Sequence, residues 1–351
     1  MKKILLVNNG YPSLTHPNYV TYIQSIEECL KEAGFYVDLL VLDSNFDSTV
    51  GKYFRFFRYY LKALFFGSYV NYDYIYINNY PYSFLPMIPH FHRMKRVIIH
   101  WHGDDIFPGT FFSSLLNRVS YWFIRSNFIH IAPSIYFAGE VSRVLGISYD
   151  SVFVSPSGGV DTSQFNIGER SHKKSGVLRL GFASGLLRSK GMDLVMKLLE
   201  NVEKIELHAK RRIEFHFINY GSEKDFFIER LSKMKFSVKH EPYAIKDMVK
   251  FYNNIDVLLF PSLREAESLG LVTIEAMSCG VPVIASDAFA LKDTVIGGVT
   301  GERFAMNNSE SFEQALIKCI DSIEQYNPRE FVIKSFSKAS VVQGYKSLLN
   351  Q

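Results

Sequence analysis

An α/β protein made of two doubly wound domains is the fold class this sequence predicts. Three observations carry that reading. Short apolar runs alternate with segments whose apolar residues recur at helical spacing, and the alternation comes in two successive series. A polar stretch holding two glycines, residues 166–176, separates the series and is the best linker. The chain has 351 residues, 47% of them hydrophobic, which is enough to fill two cores. Ligands in such folds bind at the carboxyl ends of the strands, and the expected site is the cleft between the two domains.

The elements follow in order. Residues 3–7 form a short apolar run that stops at the turn signal Asn9-Gly10. Residues 19–33 carry Val20, Ile23, Ile26 and Leu30 at helical spacing and stop at Gly34. Strands are expected at 37–42, 74–77, 96–99 and 128–132, with helical patterns between them. After the linker the rhythm restarts with strand 178–183, helix 191–205, strand 215–218, helix 223–234 and strand 257–260. Helix 269–279 ends at Gly280 and leads into strand 281–285. The predicted domains are 1–165 and 177–335, followed by a last segment, 336–351.

Composition excludes several function classes. There are 39 Lys+Arg against 35 Asp+Glu, so the net charge of +4 is no nucleic-acid-binding polycation. Cys29, Cys279 and Cys319 lie far apart, with no spacing for a disulfide framework or a structural zinc site. The N-terminal apolar run is too short for a signal peptide, and no stretch reaches the ~18–20 apolar residues that span a bilayer. The expected location is cytoplasmic, or at the inner face of the cytoplasmic membrane.

The most informative stretch is 256–286. A buried strand ends at Pro261-Ser262, a polar loop follows, and a helix begins near Leu269. The unpaired N–H groups at the helix start, around Ser268, Leu269, Gly270 and Leu271, form an anion site suited to a nucleotide diphosphate. Gly270 lets a ligand approach the backbone closely. Glu275, about a turn and a half into the helix, can accept hydrogen bonds from ribose hydroxyls, and Glu267 can reach hydroxyls of a sugar beyond the phosphates. Singly, these glutamates read as ordinary surface and capping residues. With Pro-Ser before them and Glu-Ala-Met-x-x-Gly-x-Pro-Val after, they read as a site.

This segment resembles the E-x7-E signature of retaining glycosyltransferases of family 4, which have the GT-B fold. Glu267 and Glu275 fit as the two glutamates; Glu265 is a rival for the first, but Ser268-Leu269-Gly270-Leu271-Val272 matches the family's usual filling after Glu267. Lys190-Gly191-Met192-Asp193 resembles the family's Lys-Gly-x-Asp, whose lysine binds the donor diphosphate. Pro156-Ser157-Gly158-Gly159-Val160-Asp161, with Phe165, resembles the element before the interdomain linker, and His102-Gly103-Asp104-Asp105 a His-Gly-x-Asp element near the transferred sugar. The stretch from Phe336 through Tyr345 to Leu349 resembles the last helix, which crosses back onto the N-terminal domain. The chain also departs from the pattern. Gly185 stands where the family often has an arginine, and Arg188 is the nearest substitute. His16-Pro17-Asn18 stands where paired glycines are common, leaving the earlier Gly10 as the candidate backbone contact from the first domain.

The resemblance implies two facing Rossmann-like domains, acceptor in the first and donor in the second. It implies transfer of a sugar, with retention, from a nucleotide diphosphate sugar to a hydroxyl of a glycan or lipid-linked acceptor, in surface polysaccharide biosynthesis. Glu267, His102 and Lys190 are then the catalytic residues, and Arg188, Ser268, Leu269, Gly270, Leu271, Glu275 and Gly10 the donor-binding ones. No cofactor or metal is expected. His100 and His102 share one face of a strand end, which reads as half a metal site or as one core and one cleft histidine; no further cluster has metal-ligand spacing. Two other readings stay open: a nucleotide-sugar epimerase of the same fold, and a non-catalytic nucleotide-sugar-binding protein. A nicotinamide dehydrogenase is disfavoured because no G-x-G-x-x-G follows the first strand.

Residues 52–72 are the richest patch of aromatics, and peripheral membrane contact is an open expectation for 52–66 within it. At 100° per residue, Lys52, Arg55, Arg58 and Lys62 share one arc of a helix, and Phe54, Phe57, Leu61, Leu64 and Phe65 the opposite arc. Peripheral contact with an anionic membrane and an ordinary helix with its apolar side in the core are equally compatible with that pattern.

Overall fold

The computed structural model describes residues 1–13, 16, 19–42, 48–168, 176–234, 236–241 and 247–349, apart from the side chains of residues 49, 52, 240 and 241. Pro17, Asn18, most of the expected linker and the side chain of Lys52 therefore lie outside the described residues. The chain divides into two units, Met1–Gly159 with Lys338–Gln351, and Val160–Ser337.

In the first unit, apolar runs form six parallel strands: β1 (Lys3–Asn8), β2 (Tyr36–Val41), β3 (Tyr74–Asn78), β4 (Val97–His100), β5 (Ile129–Ala132) and β6 (Val152–Val154), in the order β2-β1-β3-β4-β5-β6. Register is set by pairs such as Lys3 with Tyr36 and Ile75 with Val97. Side chains alternate across the sheet. Ile4, Leu6, Tyr74 and Tyr76 face α1 (Tyr22–Glu32) and α14 (Lys338–Leu349), whereas Leu5, Val7, Ile75 and Ile77 pack with α2 (Thr49–Leu64), α3 (Tyr80–Phe84) and α5 (Ile135–Leu145). The fourth helix, α4 (Phe111–Tyr121), packs on α3. Because both faces are covered, the strands read as continuous apolar runs rather than alternating ones.

Ser48 caps α2 by accepting from the Gly51 amide at 3.0 Å. The helix turns Tyr59 and Ala63 into the core, with Phe56 and Tyr60 packed beside them. Phe54, Phe57, Leu61 and Phe65 are exposed. The alternative that put this apolar arc in the core is therefore overturned: a second set of apolar residues, a half-turn round the helix, covers the sheet.

The second unit repeats the scheme with β7 (Val177–Phe182), β8 (Arg212–Ile218), β9 (Ser237–Glu241), β10 (Val257–Phe260), β11 (Val283–Ser286) and β12 (Gly301–Phe304), in the order β12-β11-β10-β7-β8-β9. Helices α6 (Met192–Glu200), α7 (Val202–Ala209), α8 (Lys224–Ser232) and α12 (Ser309–Asp321) serve one core. Helices α9 (Met248–Asn253), α10 (Leu271–Ser278) and α13 (Pro328–Ser335), with the short α11 (Leu291–Thr294), serve the other.

The helix expected over 191–205 is two helices meeting at Asn201. The one expected over 269–279 starts at Leu271, because Gly270 takes the left-handed φ of 74°. The division between units falls at Gly159/Val160, ahead of the expected residue 165. Val160 donates to the Phe336 carbonyl at 2.8 Å, and Phe165 lies in a core of the second unit. The final helix α14 belongs to the first unit: Tyr345 meets Tyr76 hydroxyl to hydroxyl at 2.9 Å, and Lys2 donates to the Leu349 carbonyl at 2.6 Å.

Candidate active site

In the second unit the chain runs β7, β8, β9 towards one edge and β10, β11, β12 towards the other, so the order reverses between β7 and β10. Loops leaving these two strands at their carboxyl ends meet at the switch point, where open α/β sheets bind ligands. The Leu263 amide donates to the Ser189 carbonyl at 3.0 Å. Gly191 has a φ of 80°, and a Cβ there would stand 2.0 Å from the Pro261 carbonyl oxygen. The Lys-Gly pair is thus fixed by backbone contact with the Pro-Ser turn: only glycine fits.

That contact brings together residues 77 apart in sequence. Lys190 Nζ donates to Glu267 Oε2 at 2.5 Å, and both side chains are 15% exposed. Buried Ser262 donates to the same oxygen at 3.1 Å. Glu265, the rival first glutamate, is exposed, and Glu267 is the one that pairs with Lys190. Before any anion arrives, the lysine expected on a diphosphate and the glutamate expected on a sugar neutralise each other.

Glu275 lies on α10 and accepts from Tyr252 Oη at 2.7 Å. Burial pushes its carboxyl up to about 7, partly offset by the Tyr252 hydrogen bond. Leu269 is buried and packs in the core, so only its backbone can meet a ligand. A Cβ on Gly270 would point at Leu291 and Thr273, at 3.1 and 3.4 Å. Its glycine serves the left-handed turn that starts the helix; the expectation of close ligand approach on that side is corrected. The first-turn amides of α10, near Ser268 and Leu271, lack intrahelical acceptors by construction.

Arg188 is held elsewhere. Its guanidinium lies 3.6 Å from Asp193 and 3.7 Å from Glu223, over the Phe226 ring. The structure does not bring it to the Lys190–Glu267 pair as a second phosphate cation. The position of the absent arginine is instead covered by Tyr220, which the sequence did not flag: a Cβ on Gly185 would meet its ring at 3.3 Å. Burial raises the Tyr220 hydroxyl pKa, with the charges of Glu275 and Glu267 adding to the effect. Ser262, Tyr252 and Tyr220 were legible only as residues that end or follow strands and helices.

In the first unit the order reverses between β1 and β3. Asn9 and Asn79, just beyond these strands, pair at 2.7 Å, with Asn79 at a φ of 48°. His102 follows β4; its Nε2 meets Asn78 Oδ1 at 2.8 Å and its Nδ1 the Ser157 hydroxyl at 3.4 Å. Asp105 accepts from the His102 and Gly103 amides, fixing the turn. Burial raises Asp105 to about 6 against those hydrogen bonds. The His100 and His102 ring centroids lie 4.2 Å apart with the planes tilted by 35°, and burial drives both pKa values down, His100 to about 3, so the pair is uncharged near neutrality. His100 Nδ1 pairs with Tyr76 Oη at 2.8 Å. Among the described residues no three His, Cys, Asp or Glu side chains gather as a metal site. Gly10 belongs to this unit, and a Cβ on it would meet the Tyr19 ring at 2.7 Å. That side of the glycine is filled by Tyr19, not open to a ligand.

Residues 178–322 match the model of the family described as group 1 glycosyl transferases. A Staphylococcus aureus capsular polysaccharide biosynthesis glycosyltransferase, CapM, is 25% identical over 178 residues, 49% of this chain and 45% of its own. The chain spans about half the length of the curated relatives it matches first. Among solved structures, the sucrose-phosphate synthase of Thermosynechococcus elongatus superposes with a TM-score of 0.78 at 16% identity, over 100% of this chain and 99% of that one. The Anabaena protein HepE, in its complex with UDP and glucose, gives 0.70 at 17% identity over 100% of both chains. The fold is the GT-B fold of these structures.

Proposed function

We propose that this chain is a glycosyltransferase that moves a sugar from a nucleotide diphosphate sugar to a hydroxyl of a glycan or lipid-linked acceptor, with retention at the anomeric carbon. The observation that carries the reading is the Lys190–Glu267–Ser262 constellation at the switch point of the second unit. Supporting it are the match of residues 178–322 to a glycosyl transferase family and the UDP and glucose named in the HepE complex.

In this reading the donor diphosphate takes over Lys190, whose charge, with the first amides of α10, stabilises the leaving group. No metal is called for. Glu267, released from the lysine, accepts from a hydroxyl of the transferred sugar, while Glu275 accepts from the ribose. The acceptor hydroxyl attacks on the face the diphosphate leaves, forming the new glycosidic bond as the old C–O bond breaks. The proton passes to the departing phosphate oxygen. His102 belongs to the first unit, assigned to the acceptor, and acts there as a neutral hydrogen-bonding group. Capsular or other surface polysaccharide synthesis is the proposed setting.

The test is product analysis with a panel of nucleotide sugars and lipid-linked acceptors, comparing wild type with Lys190→Met. Losing a hydrogen bond to a charged group costs about 1.5–3 kcal/mol, so turnover falls at least roughly 10–150-fold. Turnover near wild type refutes the phosphate assignment. Donor consumption without acceptor points to the epimerase, and donor binding without any turnover to a binding protein.

A further inference from the structure

The largest feature the transfer chemistry leaves unused is on the first unit. Helix α2 has two apolar faces. One, through Tyr59 and Ala63, is in the core; the other exposes Phe54 and Phe57, with Phe65 just beyond the helix end. On α4, Phe111 is 87% exposed, Phe112 follows it, and Trp122 at the helix end is 80% exposed. Both helices lie on the same side of the β1–β6 sheet, with α3 packed against α4 and against the 3₁₀ segment Leu85–Arg93 that also receives α2. Isolated exposed apolar residues are ordinary, but aromatics concentrated on two helices that cover the same side of one sheet mark an interaction surface.

Charge says what that surface meets. From residue 48 to 139 the chain has nine Lys or Arg and three Asp, a surplus of six, larger than the +4 of the whole chain. Of the three acids, Asp105 is buried and holds a turn. No acid lies within α2 or α4. At 100° per residue Arg58 stands about 40° and Lys62 about 80° from Phe54, so these cations adjoin the exposed aromatics rather than oppose them as the sequence pattern suggested; both are exposed, as is Arg118 on α4. An aromatic face flanked by exposed cations fits an interface of apolar chains under anionic headgroups. No helix among the described residues is long and apolar enough to cross a membrane, so the contact lies in the plane of the surface.

We propose that α2 and α4 together dock this chain on an anionic lipid bilayer. The inference goes beyond the transfer reading and does not depend on it. The experiment uses an internal probe. The chain has two tryptophans, of which Trp101 is fully buried and Trp122 exposed. Full-length protein is titrated with phosphatidylglycerol vesicles and with phosphatidylcholine vesicles, following tryptophan emission and flotation.

The expected result is a blue shift and flotation with phosphatidylglycerol that weaken as salt is added, with at least tenfold weaker binding to phosphatidylcholine. In Trp122→Phe the emission stays fixed while flotation persists. Each cation near such a surface is worth roughly a fivefold change in binding, so Arg58→Gln/Lys62→Gln together lower it roughly 25-fold. Phe54→Ser/Phe57→Ser abolishes the shift; unchanged Trp101 emission in the Trp122→Phe background shows that either variant still folds. Absence of a shift with phosphatidylglycerol overturns the proposal, as does equal binding by the charge variant. So does a dimer in sedimentation that the aromatic substitutions split while wild type fails to float.

Discussion

Replacing Glu267 by Gln should tighten the binding of a bare nucleoside diphosphate while abolishing sugar transfer. In the structure Lys190 is already held by Glu267 at 2.5 Å, with both side chains 15% exposed. At an effective dielectric of about 20, unit charges that close attract by roughly 6–7 kcal/mol before desolvation is counted. Partial exposure and the desolvation of both groups reduce the net to roughly 1–2 kcal/mol. An incoming diphosphate must draw Lys190 out of that pair, so removing the carboxylate charge returns about 5–30-fold in affinity. Gln keeps an acceptor for the Ser262 hydroxyl, which now donates at 3.1 Å, so the loop retains its support. Calorimetric titration with UDP and GDP, beside a melting curve, measures it. Affinity unchanged or weakened in a folded Glu267→Gln protein refutes the idea that the pair competes with the diphosphate for its lysine.

Two further outcomes follow from the same site. Gly191→Ala puts a Cβ where only 2.0 Å separates it from the Pro261 carbonyl oxygen, at a φ of 80° that L-residues avoid. The left-handed conformation alone costs about 1–2 kcal/mol, and the clash must also push the Lys190 and Pro-Ser turns apart; the melting temperature should drop and transfer should vanish, and a wild-type melting curve rejects the backbone contact. Glu275, with its folded pKa near 7, binds its proton more tightly than an unfolded glutamate. Its contribution to stability of the ligand-free protein is therefore complete below the unfolded pKa and disappears as pH rises through about 7. Ribose hydroxyls favour the carboxylate, so nucleoside diphosphate affinity should rise by up to tenfold per unit from pH 5.5 to 7 and level off above 8, with proton release seen by calorimetry in two buffers. A Glu275→Gln variant that keeps the same pH profile assigns the titration to another group.

Much of this was readable from residues alone because it is local. The buried strands are contiguous apolar runs: 257–260 is strand β10 as expected, and β1 extends the run at 3–7 by one residue. The strands that escaped notice, β6, β9 and β12, lie at sheet edges, where fewer residues need to be apolar, as in Gly-Glu-Arg-Phe of β12. Glu267, Glu275 and Lys190 stood out through their motifs. Their partners did not, because Ser262, Tyr252 and Tyr220 are recognisable only once β8, α9 and β10 have been placed.

By itself the sequence determined the two βα series and singled out Glu267, Glu275 and Lys190 as candidates, since propensity, periodicity and turn chemistry act over a few residues. Tertiary structure decided which glutamate holds Lys190, that Arg188 turns to Asp193 and Glu223, and that Gly270 serves a turn. It also decided which of the two apolar arcs of α2 faces the sheet. These outcomes rest on contacts between residues far apart in the chain, and no local pattern encodes where a loop leaving one strand meets a loop leaving another.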